Sequence, residues 1–394
     1  MISPDEYTWL KIEPVDAWFF RDGRPSNRGE DQSDLESEFP PNAATVVGAL
    51  RAALAREAGW NGRGSWPAEL NAILGNGFDD LGQLSFLGPL LMQDDEILWP
   101  MPRHVVGLTT DVQTDDGGTR PSFKPVALME PSSASQLVLC DAGEVRLPTL
   151  PSGSNQRTGG RGEDDAVGRP REKPPAPADG VFVTTGGMSR ILSGHIPDSS
   201  ECRYRDELFR HESRVGIQRD AADRTTGQNA MYSPRYVRLK QDVSLVLAIS
   251  PLPDGWSVPS LMPLGGESRL AGVEVIDKSL TFLSAARTGD FTTVVSVTPA
   301  RFSDPWWGAG PGDDASRLTS ELAGQVATVV LDRPRLIGGW DSVKGEPLPL
   351  VPFVPPGTVW WIDGATKTVS GPIQLGDIVQ TRYGNGLAFV SGSA

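Results

Sequence analysis

One stretch, Trp18 to Glu57, limits most strongly what this chain can fold into. It starts with the apolar run Trp18-Phe19-Phe20 and breaks into the charged turn Arg21-Asp22-Gly23-Arg24-Pro25. It then crosses a polar, acidic loop to Phe39-Pro40-Pro41-Asn42. The apolar run reads as the end of a strand. Past the loop, Val46, Val47, Leu50 and Leu54 recur at helical spacing, so one stripe of a helix must pack on that strand. Asn42 is placed to cap the helix, because its side-chain oxygen can accept one of the first N–H groups that lack a partner within it. Gly59 stops the helix. A strand, a loop and a helix of this kind open many α/β domains, and the pattern alone does not choose among them.

Along the chain, Tyr7–Phe20 reads as the first strand, Pro67–Leu74 as a short helix and Glu96–Pro102 as a strand ending in prolines. Order falls away over 111–177, apart from a hairpin-like turn at Asp115-Asp116-Gly117-Gly118. Residues 152–178 read as a mobile insertion, rich in Gly, Pro and charge. Its Arg157, Arg161, Arg169, Arg171 and Lys173 are nearly balanced by Glu163, Asp164, Asp165 and Glu172, which favours a solvated loop over a basic arm. Val181–Gly194 predicts a strand, a glycine pair and a helical turn. Tyr236–Ser250 predicts one long strand, and further strands follow at Arg269–Ile276, Phe291–Arg301, Val326–Leu331, Gly357–Ile362 and Gly386–Val390. No repeat is legible, although strand, helix and strand recur in both halves.

A chain of 394 residues suits roughly two domains. With 44 Gly and 34 Pro it points to many turns rather than a helical bundle. Its formal charge of −14 argues against a free-standing, non-specific nucleic-acid binder, yet leaves room for a local basic patch. Cys140 and Cys202 cannot form a disulfide framework or a zinc site by themselves. No apolar run reaches the roughly 20 residues of a membrane span, and the N-terminus lacks an apolar signal core. The cytoplasm is the expected compartment.

The basic patch has a candidate. Residues 201–240 carry Arg203, Arg205, Arg210, Arg214, Arg219, Arg224, Arg235, Arg238 and Lys240 against Glu201, Asp206, Glu207, Glu212, Asp220 and Asp223. Guanidinium forks suit phosphate, while a salt-bridged surface hairpin would have the same composition. Gly265-Gly266 and Gly384-Asn385-Gly386 could bring backbone N–H groups close to phosphate, or simply turn the chain between strands. Trp306-Trp307 and Trp360-Trp361 could stack on bases, although one ring of each pair in the core and the other at a partner surface is the commoner arrangement. Catalytic sets are largely missing. His104, His195 and His211 have no completing partners in sequence, and Gly312-Asp313-Asp314 reads as a turn.

Several pieces together resemble a known family. FFRDGRP followed by FPPNAATVVGALRAAL is similar to the N-terminal signature of subunit three of the Cmr effector complexes, RAMP-superfamily proteins of type III-B CRISPR systems. The likeness runs through Phe39, Pro40, Pro41, Thr45, Gly48, Ala49, Leu50 and Arg51. LGPLL with LWPMPRH, the run from His211-Glu212 through Arg214, Gly216 and Ile217 to Tyr232, GGESR at 265–269 and YGNG at 383–386 resemble family segments in the same order.

The resemblance implies an α+β fold of two ferredoxin-like (RRM-like) domains with long loop insertions. They are expected at 1–235, with the insertion near 111–178, and at 236–394 with the glycine-rich loop. It implies a non-catalytic subunit that binds the 5′ handle of the crRNA. The subunit would dock the large palm-domain cyclase subunit onto the RAMP backbone subunits, meeting target RNA only indirectly. The expected RNA contacts are Arg21, Arg24, Arg214, Arg219, Arg269, Gly384 and Gly386, with no catalytic residue, cofactor or metal. Two other readings stay open, a metal-independent RAMP endoribonuclease using His195 or His211 as base, and a purely protein-binding scaffold.

Overall fold

The computed structural model describes residues 6–21, 35–113, 117–133, 136–140, 143–151, 174–217, 231–277, 283, 285–287, 290–341, 345–364 and 371–393. They form a mixed fold, mostly antiparallel sheet with few helices. β1 (Thr8–Pro14) turns Leu10 and Ile12 into the core and leaves Lys11 and Glu13 on its wetter side. α1 (Ala43–Glu57) starts where the sequence predicts it, with Asn42 Oδ1 accepting from Thr45 N at 2.9 Å. Its Val46, Val47, Leu50 and Leu54 are fully buried in one cluster with Leu10 and Ile12. Gly59 follows at φ +97°, a left-handed conformation that ends helices and is easy only without a Cβ. The Pro67–Leu74 helix is present as Ala68–Leu74, and Val181–Val183 with Thr185–Leu192 form the predicted strand and helical turn.

In the first sheet, β1 lies between β3 (Val243–Ser250) and β4 (Leu270–Ile276), and β2 (Ser85–Gln93) lies beyond β3. Every pair is antiparallel, so the spatial order is β2-β3-β1-β4. The second sheet repeats this plan with β5 (Phe291–Ser296), β6 (Gln325–Val330), β7 (Val359–Asp363) and β8 (Leu387–Ser393). There β5 sits between β7 and β8, and β6 lies beyond β7, all antiparallel. The shared plan is hidden in sequence because residues 94–242 separate β2 from β3, whereas the matching link between β6 and β7 is 331–358.

Three expectations differ from the structure. The sheets divide after Ile276 rather than at 235, because β3 and β4 belong to the first sheet. The long strand read over Tyr236–Ser250 is two. Arg235–Leu239 pairs in a hairpin with Phe209–Ser213, and the chain turns at Asp242 (φ +60°) before β3. Finally, part of 111–177 is ordered. Val105–Gln113 pairs with Thr119–Leu128 from Val105↔Leu128 to Gln113↔Thr119, while Asp115 and Asp116 of the expected turn lie outside the described residues. Pro121 and Pro125 obscured this strand, and it tolerates them at the edge of its three-stranded sheet, where N–H groups need no partner. Residues 152–173 lie outside the described part.

The two sheets share a core. Leu90, Ile97 and Trp99 from the first pack with Val295, Val359, Trp361 and Phe389 from the second, and the Trp99 and Phe389 rings meet edge to face at 4.8 Å. Trp360 points to the opposite side of β7, into a separate cluster with Val294, Ile362 and Val390. Both tryptophans are therefore fully buried, and neither ring reaches a partner surface or offers a stacking face. In the other pair, Trp306 is partly packed against that cluster and Trp307 is 38% exposed.

Candidate nucleic-acid interface

Four chain segments meet at one edge of the first sheet. After β1 the chain turns through Val15 and Asp16, and Trp18 then pairs with the Arg235–Leu239 strand, exchanging hydrogen bonds with Val237 (2.9 and 2.7 Å). This sets Asp16 beside Arg238. The Phe209–Ser213 strand lies across the hairpin with Glu212 opposite Tyr236. The fourth segment is the turn at 265–269. Gly265 takes φ +84° with its Cα against the Phe19 carbonyl, where a Cβ would clash, and Gly266 N donates to Phe19 O at 2.7 Å. The turn thereby delivers Arg269 to the same place.

The resulting cluster holds four guanidinium groups and two carboxylates. Asp16 accepts from Arg238 at 2.7 Å, Arg214 at 3.0 Å and Arg269 at 3.4 Å. Glu212 accepts from Arg238 at 2.5 Å, Arg210 at 2.9 Å and Arg214 at 3.4 Å. Arg214 and Arg269 lie over the Tyr236 ring, 4.8 and 4.3 Å from its centroid, and Phe19 packs against the same ring. The excess of guanidinium over carboxylate is two. Each arginine is held in a defined orientation and keeps N–H groups that these carboxylates do not occupy.

The salt-bridged hairpin and the phosphate-binding surface, which composition could not tell apart, are here compatible. A prepaid array of half-exposed guanidinium groups is what charge-assisted, bidentate phosphate contacts need.

Arg238, with Arg210 and Arg214 adding to it, holds the Glu212 carboxyl down to about 2. Asp16 is lowered in the same way by Arg238 and then Arg214. Both carboxyls titrate lower in the folded than in the unfolded chain. Their contribution to stability is therefore full above the ordinary Glu value of 4.5 and disappears as the pH falls toward about 2. Glu212→Gln is expected to be less stable than the parent at pH 6, with the gap closing near pH 2. Denaturant titrations of both proteins across that range check this.

The other expected contacts fall differently. Arg21 is exposed at the end of the Asp16–Phe20 segment and faces Ser37 in a single β-bridge, without an ion pair to the cluster among the described residues. Arg24 and Arg219 lie outside the described residues. Gly384 and Gly386 are buried. An added Cβ would overlap the Gly88 carbonyl at Gly384 and the Leu375 carbonyl at Gly386, so both serve close backbone packing and present no surface to a ligand here. Asp16 and Tyr236 were not anticipated. Asp16 is an ordinary acid in an acidic N-terminal stretch, and only the Trp18–Val237 pairing reveals its partners.

His211 packs edge to face on Phe209 at 5.8 Å, and burial, reinforced by Arg205 and Arg235, lowers its pKa. His195 is exposed, and His104 is buried with its ring 5.6 Å from Trp361. Gly312-Asp313-Asp314 is a turn, in which Asp313 accepts from Gly310 N and Asp314 from Ser316 N. Among the described residues no group of three or more His, Cys, Asp or Glu is placed to hold a metal, and no helix is long and apolar enough to cross a membrane.

Comparison with known proteins adds to this geometry. The family model described as CRISPR-associated protein (Cas_Cmr3) matches residues 10–390. A curated relative, CRISPR system CMR subunit Cmr3 of Saccharolobus solfataricus, is 34% identical over 76 residues, 18% of this chain and 23% of the relative. The matched part thus spans less than a quarter of that protein's length. Among solved structures, a chain of type III-B Cmr-beta bound to cognate target RNA and AMPPnP superposes with a TM-score of 0.46 at 14% identity, covering 90% of this chain and 86% of that one. A chain of the Csm3-Csm4 subcomplex of the type III-A CRISPR-Cas interference complex gives 0.34 at 8% identity, covering 93% and 95%. Likenesses this distant carry no weight for function.

Proposed function

The chain belongs to the Cas_Cmr3 family of CRISPR-associated proteins, and on that premise we propose that it is a non-catalytic subunit of a type III-B RNA-guided effector. In this reading it grips the 5′ handle of the crRNA and docks the large palm-domain cyclase subunit onto the RAMP backbone subunits, meeting target RNA only indirectly. The observation that carries the reading is the array of Arg214, Arg238 and Arg269, oriented by Asp16 and Glu212, with Arg214 and Arg269 also stacked on Tyr236. Arg21, Arg24 and Arg219 are proposed as further handle contacts, on the family resemblance alone.

Four strands of each sheet follow the order of a ferredoxin-like unit, which supports the two such units we assign. Sheets of this kind, edged by long hairpins, suit single-stranded RNA, whose splayed bases and phosphates can be reached together. The net charge of −14 is compatible with this role where neighbouring subunits neutralise most of the phosphates.

Purifying the tagged chain from its native host and sequencing the RNA that accompanies it tests the proposal. Short RNAs with one shared 5′ repeat-derived handle and varied 3′ portions are expected. Recovery of a stable RNA-free monomer would count against it and favour a scaffold.

A further inference from the structure

At the opposite edge of the first sheet lies a second concave site that the arginine cluster does not reach. It is a cavity of about 210 Å³ between the edge strand Cys202–Tyr204 and the hairpin strand Thr119–Leu128. Arg120, Arg203, Ser122, Ser199, Ser200 and Glu207 supply most of its polar lining, with Phe123, Val181 and Tyr204 forming a wall.

The way these groups are used decides what the cavity can accept. Arg203 donates from Nε to Gln93 Oε1 at 3.2 Å and from Nη1 to the carbonyls of Ser200 and Cys202 at 2.5 and 3.1 Å. Its Nη2 is not engaged by any described residue. Arg120 reaches Glu207 Oε2 at 2.5 Å through Nη1, while Glu207 Oε1 accepts from Tyr204 N at 3.1 Å. Each oxygen of the one carboxylate thus already accepts a hydrogen bond, and its charge is offset by Arg120, which leaves the charge of Arg203 in excess. The hydroxyls of Ser122, Ser199 and Ser200 have no partner among the described residues. Cys202 donates its thiol to Asp198 O, and burial pushes its pKa up to about 12, so no thiolate opposes an anion. The polar groups left over are thus guanidinium N–H donors and serine hydroxyls, which can turn their O–H toward an anion.

We propose that this cavity binds a tetrahedral oxyanion of the phosphate type, either free or as the phosphate of a small ester. Two guanidinium groups from different strands would clamp it from two sides, with the serine hydroxyls completing the shell. The carbonyls that hold Arg203 fix its fork before the ligand arrives, which lowers the ordering cost of binding. The volume takes a phosphoryl group with a few attached atoms. The site is independent of the guide-RNA reading, since it lies across the sheet from Arg214 and Arg269.

The test is calorimetric titration of the full chain with inorganic phosphate, and in a second arm with a nucleoside 5′-monophosphate. One saturable site per chain is expected. Binding should weaken by at least about tenfold in Arg203→Met. Ser122→Leu should weaken it similarly by filling the cavity while leaving both guanidinium groups in place, so a loss there cannot be ascribed to misfolding around Arg203. Tighter binding of the nucleotide would identify an ester as the ligand, and equal affinities would identify the free anion. No saturable binding up to about 10 mM, or binding unaltered by both variants, would overturn the proposal.

Discussion

Replacing Arg51 by methionine is expected to remove about 3–5 kcal/mol of folding stability, seen as a marked fall in the denaturant midpoint. Arg51 projects from α1 and is only 4% exposed, yet among the described residues no carboxylate lies at hydrogen-bonding distance from its guanidinium. It donates instead to backbone carbonyls. Nε and Nη2 both reach Leu74 O, Nη1 reaches Gly77 O at 3.0 Å, and Nη2 also reaches Asp80 O at 2.9 Å. Leu74 ends the Ala68–Leu74 helix, so its carbonyl is among those a helix leaves without an internal partner. The guanidinium also lies over Trp66, 5.3 Å from the ring centroid, and Trp66 Nε1 in turn donates to Gly75 O.

Methionine would leave the buried Leu74 carbonyl and the partly buried Gly77 and Asp80 carbonyls short of a donor. Lysine is expected to fare little better, because one ammonium cannot reproduce the planar fork. Arg56 of the same helix is exposed beside Trp60 and provides the control. Its replacement by methionine should change stability by no more than about 0.5 kcal/mol.

Gly384→Ala is expected to cost about 2–4 kcal/mol. Gly384 has φ +96°, and its added Cβ would be driven into the backbone of Gly88 in β2. The neighbouring side chains show what that contact holds together. Arg382 donates to Gly82 O at 2.6 Å and Leu84 O at 2.7 Å, and Tyr383 Oη donates to Phe78 O at 2.7 Å. The second half of the chain is thus latched onto the 78–88 segment of the first. Gly59→Ala separates strain from collision, because Gly59 is also left-handed but has open space around it. It should cost about 1 kcal/mol, a difference that thermal unfolding of the two variants resolves.

Local signals in the sequence specify structure where the deciding atoms are near in the chain. Asn42, the Val46–Leu54 stripe and Gly59 define α1 through contacts within a few residues, and the structure keeps all three. Glycines were harder, because a tight turn, a phosphate cradle and a backbone crossing all require the same missing Cβ. Gly265 serves a turn against Phe19, while Gly384 serves a crossing against Gly88, a residue nearly three hundred positions away. Arg51 stood out in the family-like motif, but its acceptors lie on a separate helix and loop. Arg214 and Arg269 were legible as basic residues. Their organisation by Asp16 and Tyr236 was not, since it depends on β1 and β4 being neighbours and on the Trp18–Val237 bridge. Strand order itself was hidden by the long insertion between β2 and β3.

If the surface oriented by Asp16 and Tyr236 holds the guide RNA, assembled complexes carrying Arg214→Glu or Arg269→Glu must lose it. With the fold intact by circular dichroism, each variant should retain at least about tenfold less guide RNA per protein than the parent. Unchanged retention in both, with normal assembly, would contradict the account and leave this face without an RNA to hold.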